Sequence, residues 1–386
     1  MQTAITAAEL YGAEQRIENP VVIVEDGQII SVASRESCEI PVNARVLEFP
    51  DAVLVPGYID LHIHGAAGYD VMEGSVSGLE RMAAFLAERG VSAFLATTVT
   101  AELSHLEAAV AKIASQIEHW PADAPLARPI GIHLEGPCIS ELRRGVHPRE
   151  HVCNPSIDLL DRMHRAANGT LKLITMAPEL PGAMETIREA VARGIKVSIG
   201  HTDGTADDAL RAIEAGASHV THTFNAMRLM EHRAPGVLGV ALSDDRVTAE
   251  IIADGVHVDP RVVEIFLRSK GAKLAVLVTD AISATGMPDG RYRLGEFEVT
   301  VEGLRAVCDG RLAGSVLTLE QAVQNITKFA NWPLAQAVRL ATANPARVLG
   351  DAKLGECEPG ARADITVLSR TGAVQQSLVG GIATRN

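Results

Sequence analysis

The sequence predicts an α/β protein: a (β/α)8 TIM-like barrel carrying a small β-sandwich domain built from both chain termini. Three observations carry this reading. Eight short apolar stretches alternate with amphipathic or Ala-rich ones through the middle of the chain, the pattern of repeated β-then-α units. Both ends hold strand-like runs without helical partners, and such strands need a shared sheet. Titratable residues close many of the apolar stretches, and barrels build their active sites at the C-terminal ends of strands. The reading assigns residues 1–52 and 350–386 to the β domain and 53–349 to the barrel.

The elements follow in order. Val21–Val24, Asp26-Gly27 and Ile29-Ile30 read as a hairpin, an apolar run on each side of a turn dipeptide. Val46–Pro50 is a further strand. Barrel strands are expected at Val53–His64, Ala93–Thr98, Pro129–Glu135, Leu171–Ala177, Lys196–His201, His219–His222, Thr248–Ala253 and Leu274–Asp280. Helical periodicity marks Leu79–Arg89, Leu103–Glu118, Met184–Arg193, Ala206–Ala215 and Arg261–Ser269. Asp364–Leu368 and Val374–Val379, followed by a Gly380-Gly381 turn, complete the terminal sheet. An open doubly wound sheet is the competing topology, but no G-x-G-x-x-G follows the first strand.

Composition narrows the function. Apolar residues make up 47% and charged residues 22% of 386, values of an ordinary globular chain. A net charge of −13 without basic runs argues against nucleic acid as a partner. The absence of a long apolar run argues against a membrane span. Five scattered Cys, none in a C-x-x-C pair, suit a reducing cytoplasm, and Met1–Leu10 lacks the basic stretch of a secretory leader. The informative excess is 13 His.

Those His sit where chemistry is expected. His62 and His64 form an H-x-H pair on one strand, and residues two apart share a face. Alone, such a pair is equally compatible with a structural role. His201 and His222 stand 21 residues apart, about one βα unit, and so belong to neighbouring strands. Glu135, before Gly136-Pro137, is placed to coordinate or bridge a metal, with helix capping as its alternative role. Asp280 ends an apolar strand and must be paired, or lie near a metal, to stay ionised; a helix N-cap is its alternative. Imidazoles with a carboxylate hold a divalent metal and leave a position open to water. The metal acidifies that water and polarises a carbonyl, and a carboxylate shuttles the proton. The chemistry is metal-assisted hydrolysis of an amide or ester.

The motifs also resemble a known family. Pro56–Gly65, His133–Pro137, Gly145–Pro148, Gly200–Thr202, Thr221–Met227, Ala253–His257, Thr279–Ala281 and Leu312–Ser315 are similar to those of the N-acetylglucosamine-6-phosphate deacetylases of the amidohydrolase superfamily. The resemblance runs nearly end to end. It implies hydrolysis of an N-acetylhexosamine 6-phosphate to acetate and the amino sugar phosphate. By motif, Glu135, His201 and His222 would hold the main ion, and Asp280 would be general base and acid. His147 would stabilise the oxyanion. The Asn225-Ala226 backbone and Arg233 would hold the phosphate, His257 a sugar hydroxyl, and Ala313 would join the substrate-binding residues. The family's Arg-x-Pro-Gly arginine reaches into the neighbouring subunit's site, which implies a homodimer.

The residues add their own support and three departures. Arg143, Arg144 and His147 follow Glu135, while Arg228, His232 and Arg233 follow His222; both clusters would draw a phosphate monoester. Some family members lack one or both His of the H-x-H, whereas this chain has both. One or two ions per subunit are therefore expected, zinc first, with iron or manganese also suited. Cys138 stands where an aromatic is common, and Ala234 where the family usually has Glu. Rival readings keep the scaffold and change the substrate: the galacto epimer, or a dihydroorotase-like or D-aminoacylase-like hydrolase. Many such relatives bridge their metals with a carboxylated Lys on strand four, but Lys172 lies near the start of that strand. A non-catalytic scaffold would need missing ligands, and none is missing.

Overall fold

The computed structural model describes residues 2–351 and 353–384. Met1, Ala352, Arg385 and Asn386, part of the terminal stretches read as the β domain, lie outside the described residues. The barrel is an eight-stranded parallel sheet in sequence order. Its strands are β1 (Tyr58–Ile63), β2 (Val91–Thr98), β3 (Arg128–Glu135), β4 (Leu171–Met176), β5 (Lys196–Ile199), β6 (His219–Val220), β7 (Thr248–Ile251) and β8 (Ala275–Leu277). Around them run α1 (Val76–Glu88), α2 (Leu103–Glu118), α3 (Ile157–Ala166), α4 (Ala183–Ala192), α5 (Ala206–Ala215), α6 (Gly236–Ser243), α7 (Pro260–Leu274) and α8 (Leu319–Phe329). Short polar residues start several of these helices: Ser75, Ser156 and Thr318 cap α1, α3 and α8 with side-chain oxygens, and Thr205 forms a capping box with Asp208 at α5.

The seam between β8 and β1 is closed without a regular ladder. At its base, Ile59 and Leu277 donate to the carbonyls of Ala341 and Leu340. At mid-height, Asp60 accepts from the Thr279 hydroxyl at 2.6 Å and its backbone N–H at 3.3 Å. At the top, Asp280 donates to the His62 carbonyl, and His64 to that of Ala281. A buried carboxylate thus does the work of ladder bonds. Burial pushes its pKa up to about 7 against the pull of those hydrogen bonds.

The two chain ends share a second sheet, also of eight strands. Thr3–Tyr11 pairs parallel with Arg45–Pro56, which pairs antiparallel with Ile365–Leu368. One apolar cluster, including Ile5, Val22, Leu54, Ile365 and Leu378, fills this unit. The expected hairpin is present: Glu25 faces Gln28 across Asp26-Gly27, both at positive φ (48° and 76°), the geometry of the tightest hairpin turns. The Gly380-Gly381 turn is likewise present, both at positive φ.

The stretch 53–64, read as one strand, is two. Val53–Pro56 ends a strand of the terminal sheet, and β1 begins at Tyr58. Gly57 is the joint. A Cβ there would stand 2.5 Å from Ser92 Cβ, so only glycine lets the chain pass. An apolar run buried in two successive sheets gives no periodicity change to mark the crossing. A further four-stranded antiparallel sheet, residues 290–312, follows β8 and has no counterpart in the sequence reading. Its alternation was available: Phe297–Glu302 buries every second residue in part of its length.

Candidate active site

The catalytic candidates stand at or just beyond the ends of the barrel strands. Glu135 is the last residue of β3, while His201, His222 and Asp280 lie two or three residues past β5, β6 and β8. Those last three have φ of 46°, 25° and 50°, a left-handed conformation costly for side-chain-bearing residues and typical of functional sites. Gly136 (φ 73°) is equally constrained, since a Cβ would meet Thr100 Oγ1 at 2.1 Å.

The side chains converge in two groups. His201 Nε2, His222 Nε2 and Glu135 Oε1 are separated by 3.1–3.2 Å. His62 Nε2, His64 Nε2 and Asp280 Oδ1 lie 3.1–3.6 Å apart. Glu135 stands between the groups, its Oε1 3.3 Å from His62 and its Oε2 3.3 Å from His64. Ligands at about 2.0–2.2 Å from one ion lie roughly 3 Å from each other, so both triangles have a metal-site scale.

The ring tautomers test the fit. His64 Nδ1 lies 3.1 Å from the Thr97 carbonyl, and His201 Nδ1 2.9 Å from that of Arg143. A carbonyl only accepts, so both Nδ1 atoms carry hydrogen. Their Nε2 lone pairs then face other Nε2 atoms and carboxylate oxygens, an arrangement that calls for a cation. The electrostatics agree. Burial would depress the His62 and His64 pKa values, but Glu135, Glu250 and Asp280 hold His62 well above the usual range, and Asp280 and Glu135 hold His64 at about 9. Burial would raise Glu135, yet His62, His147, His201 and His222 hold it well below the usual carboxylate range. Positive charge is demanded here, and protons are what a metal would displace.

His147 is built the other way. The Thr100 backbone N–H donates to its Nδ1 at 3.2 Å, so a neutral ring carries its hydrogen on Nε2. Burial keeps the ring neutral, with a pKa near 4. Distance alone groups His147 with Glu135 and His201 as metal donors. Its tautomer makes it a hydrogen-bond donor instead, and His222 Nε2, 3.1 Å from both Glu135 and His201, is the third candidate donor.

These groups border a cavity of about 180 Å³. Among its walls are His64, Glu135, His147, His201, His222 and Asp280, together with Asn225, Ala226 and His257. His257 donates Nδ1–H to Asp254 at 2.7 Å. His62 lies beneath the cavity, fully buried. Ala313 is buried between Leu312 and Gly314, which line the cavity. Arg233 is exposed on the turn 231–234 and outside the lining.

Part of the expected positive clusters is engaged within the protein. Arg143 and Arg228 both pair with Asp203, at 2.8 and 2.7 Å, and Arg144 donates to the His147 carbonyl. Lys172 is exposed and points to the Gly169 carbonyl, away from the site. Cys138 is in neither metal group; the neighbouring Cys153 thiol and burial push its own thiol well above the usual range.

Sequence reasoning missed the supporting residues. Glu250, Asp60, His133 and His219 are fully buried polar groups of the barrel interior. His133 donates to the Leu61 carbonyl and meets Thr175 Oγ1 at 2.7 Å; burial drives its pKa to about 3. Leu294 and Leu312 of the extra sheet also wall the cavity. The signal available for the first four was their place in parallel barrel strands, which are covered on both faces.

A parallel barrel whose C-terminal mouth gathers imidazoles and carboxylates defines a metal-dependent hydrolase. Residues 53–383 match the Amidohydrolase family. An N-acetylglucosamine-6-phosphate deacetylase of Vibrio furnissii is 36% identical over 374 residues, covering 96% of this chain and 92% of the relative. An N-acetylgalactosamine-6-phosphate deacetylase of Escherichia coli O157:H7 is 36% identical over 383 residues, 99% of each chain. Among solved structures, a mutant N-acetyl-D-glucosamine-6-phosphate deacetylase of Mycobacterium smegmatis, in complex with N-acetyl-D-glucosamine-6-phosphate, has a TM-score of 0.93 and 33% identity, covering 100% of each chain. The chain belongs to the amidohydrolase family, among its N-acetylated sugar-phosphate deacetylases.

Proposed function

We propose that this chain hydrolyses the acetamide of N-acetylglucosamine 6-phosphate to glucosamine 6-phosphate and acetate. The observation that carries the proposal is the convergence of two donor triangles on Glu135, beside a neutral His147 whose Nε2–H faces the same cavity. The galacto epimer is the second reading, favoured by the relative named for it.

Glu135, His201 and His222 would hold a first ion, and His62, His64 and Asp280 a second, with Glu135 bridging. Zinc suits imidazole and carboxylate donors, as do iron and manganese. When bound, such an ion acidifies water and polarises the acetamide carbonyl. Asp280 takes the water's proton and later gives it to the departing amine. His147 Nε2–H donates to the carbonyl oxygen as negative charge builds there. The His257 Nε2, its other nitrogen held by Asp254, meets a sugar hydroxyl. The backbone of Asn225-Ala226 and Arg233 hold the phosphate; Arg233 serves a neighbouring copy's site, so the protein acts as a homodimer. Its five free thiols suit the cytoplasm. Among the described residues, no helix is long and apolar enough to cross a membrane.

Acetate release from both epimers, with bound metal quantified on the same sample, tests this reading. Release is expected, and the faster epimer names the substrate. Metal-loaded protein that releases acetate from neither epimer would overturn it.

A further inference from the structure

Glu250 lies in β7, fully buried, and does not border the cavity. It accepts three hydrogen bonds. Oε2 meets His62 Nδ1 at 3.3 Å and the His222 backbone N–H at 3.0 Å, while Oε1 meets His219 Nε2 at 3.0 Å. It therefore touches both donor groups from behind: the ring of His62 in one and the main chain of His222 in the other. His222 lies beyond the β6 ladder, which ends at Val220, and its N–H takes this carboxylate as its partner.

The four facing imidazoles are not held alike. His64 and His201 donate Nδ1–H to backbone carbonyls. His222 Nδ1 finds no partner among the described residues. His62 alone of the four has a carboxylate on Nδ1. An anionic acceptor fixes the ring with its Nε2 lone pair forward and makes that nitrogen a stronger donor to a metal.

We infer that Glu250 is a positioning residue that decides whether the His62–His64–Asp280 group retains an ion. The inference rests on the two-ion reading above. Glu250→Gln keeps the shape. Its amide oxygen can still serve His62 and His222, because the amide NH2 can face His219, whose Nδ1 can then donate to Thr248 Oγ1, 2.6 Å away. What is lost is the charge on His62.

The test loads wild type and Glu250→Gln with Co2+, then measures stoichiometry and affinity by chelator competition and follows the Co2+ absorption spectrum. Glu250→Gln should keep its first ion at wild-type affinity and bind the second about 10- to 100-fold more weakly, with loss of that ion's share of the spectrum. Glu250→Asp, which keeps the charge but draws it back from both His62 and the His222 N–H, should weaken the second ion at least as much with a smaller loss at the first, and serves if the Gln variant does not fold. Wild-type affinity for both ions in the variants would overturn the inference, as would equal weakening of both. Wild type that holds one ion at saturating Co2+ would overturn the two-ion reading, and the inference with it; that failure is separate because it shows in the unmutated protein.

Discussion

At the scale of single residues, the site is a set of choices about which ring nitrogen carries hydrogen. Backbone carbonyls leave the Nε2 lone pairs of His64 and His201 free for a metal; a backbone N–H leaves His147 with an Nε2–H to donate. His147→Leu, which has no hydrogen to donate, should therefore lower kcat by about 100- to 1,000-fold, the usual loss of one oxyanion donor, with bound metal and KM little changed. Steady-state kinetics beside metal analysis check this. Asp280→Asn should lower turnover by about 100- to 10,000-fold, the range of general acid–base catalysis, while the Glu135–His201–His222 group keeps its ion. Acetate release and metal content on one sample decide it. The candidate ligands were legible because titratable residues close apolar runs, as Glu135, His201 and Asp280 do. Glu250 was not, because Thr248-Ala249-Glu250-Ile251 also reads as an ordinary alternating strand with one face in water. Only its neighbours in the closed sheet show that no such wet face exists.

At the scale of elements, the junction at Gly57 separates two sheets that the sequence runs together. Gly57→Ala would press a methyl onto Ser92 Cβ at 2.5 Å, and overpacking of this kind costs about 1–3 kcal/mol. Ser92→Gly in the same chain should recover most of that loss. Urea unfolding of the single and double variants measures both. The eight barrel strands were legible in order because a β-then-α rhythm needs no long-range information. The sheet at 290–312 was passed over although Phe297–Glu302 alternates, since its strands are short and no barrel unit calls for them. The pairing of Arg143 and Arg228 was out of reach for a related reason: sequence shows where the two arginines fall, but not that Asp203 lies between them.

At the scale of the whole molecule, the barrel mouth concentrates buried charge. A bound ion is a ligand of the folded state, because the unfolded chain lacks the assembled site. At a thousandfold excess over Kd, one such ion adds about 4 kcal/mol. Chelator-treated protein should thus melt several degrees lower than protein reloaded with zinc, and scanning calorimetry of the two forms measures the gap.

The terminal sheet has a consequence for the order of synthesis. Pro56 faces Ile365 across 309 residues of chain. At roughly 5–20 residues per second, a ribosome needs about 15–60 s to deliver the second strand after the first has emerged. During that interval the edge of residues 53–56 has no neighbour on that side, and the whole barrel passes through the exit tunnel before one arrives. The nascent chain must therefore carry an open, apolar strand edge for most of its translation, at the length of chain where contact with a chaperone or a second nascent copy would matter most.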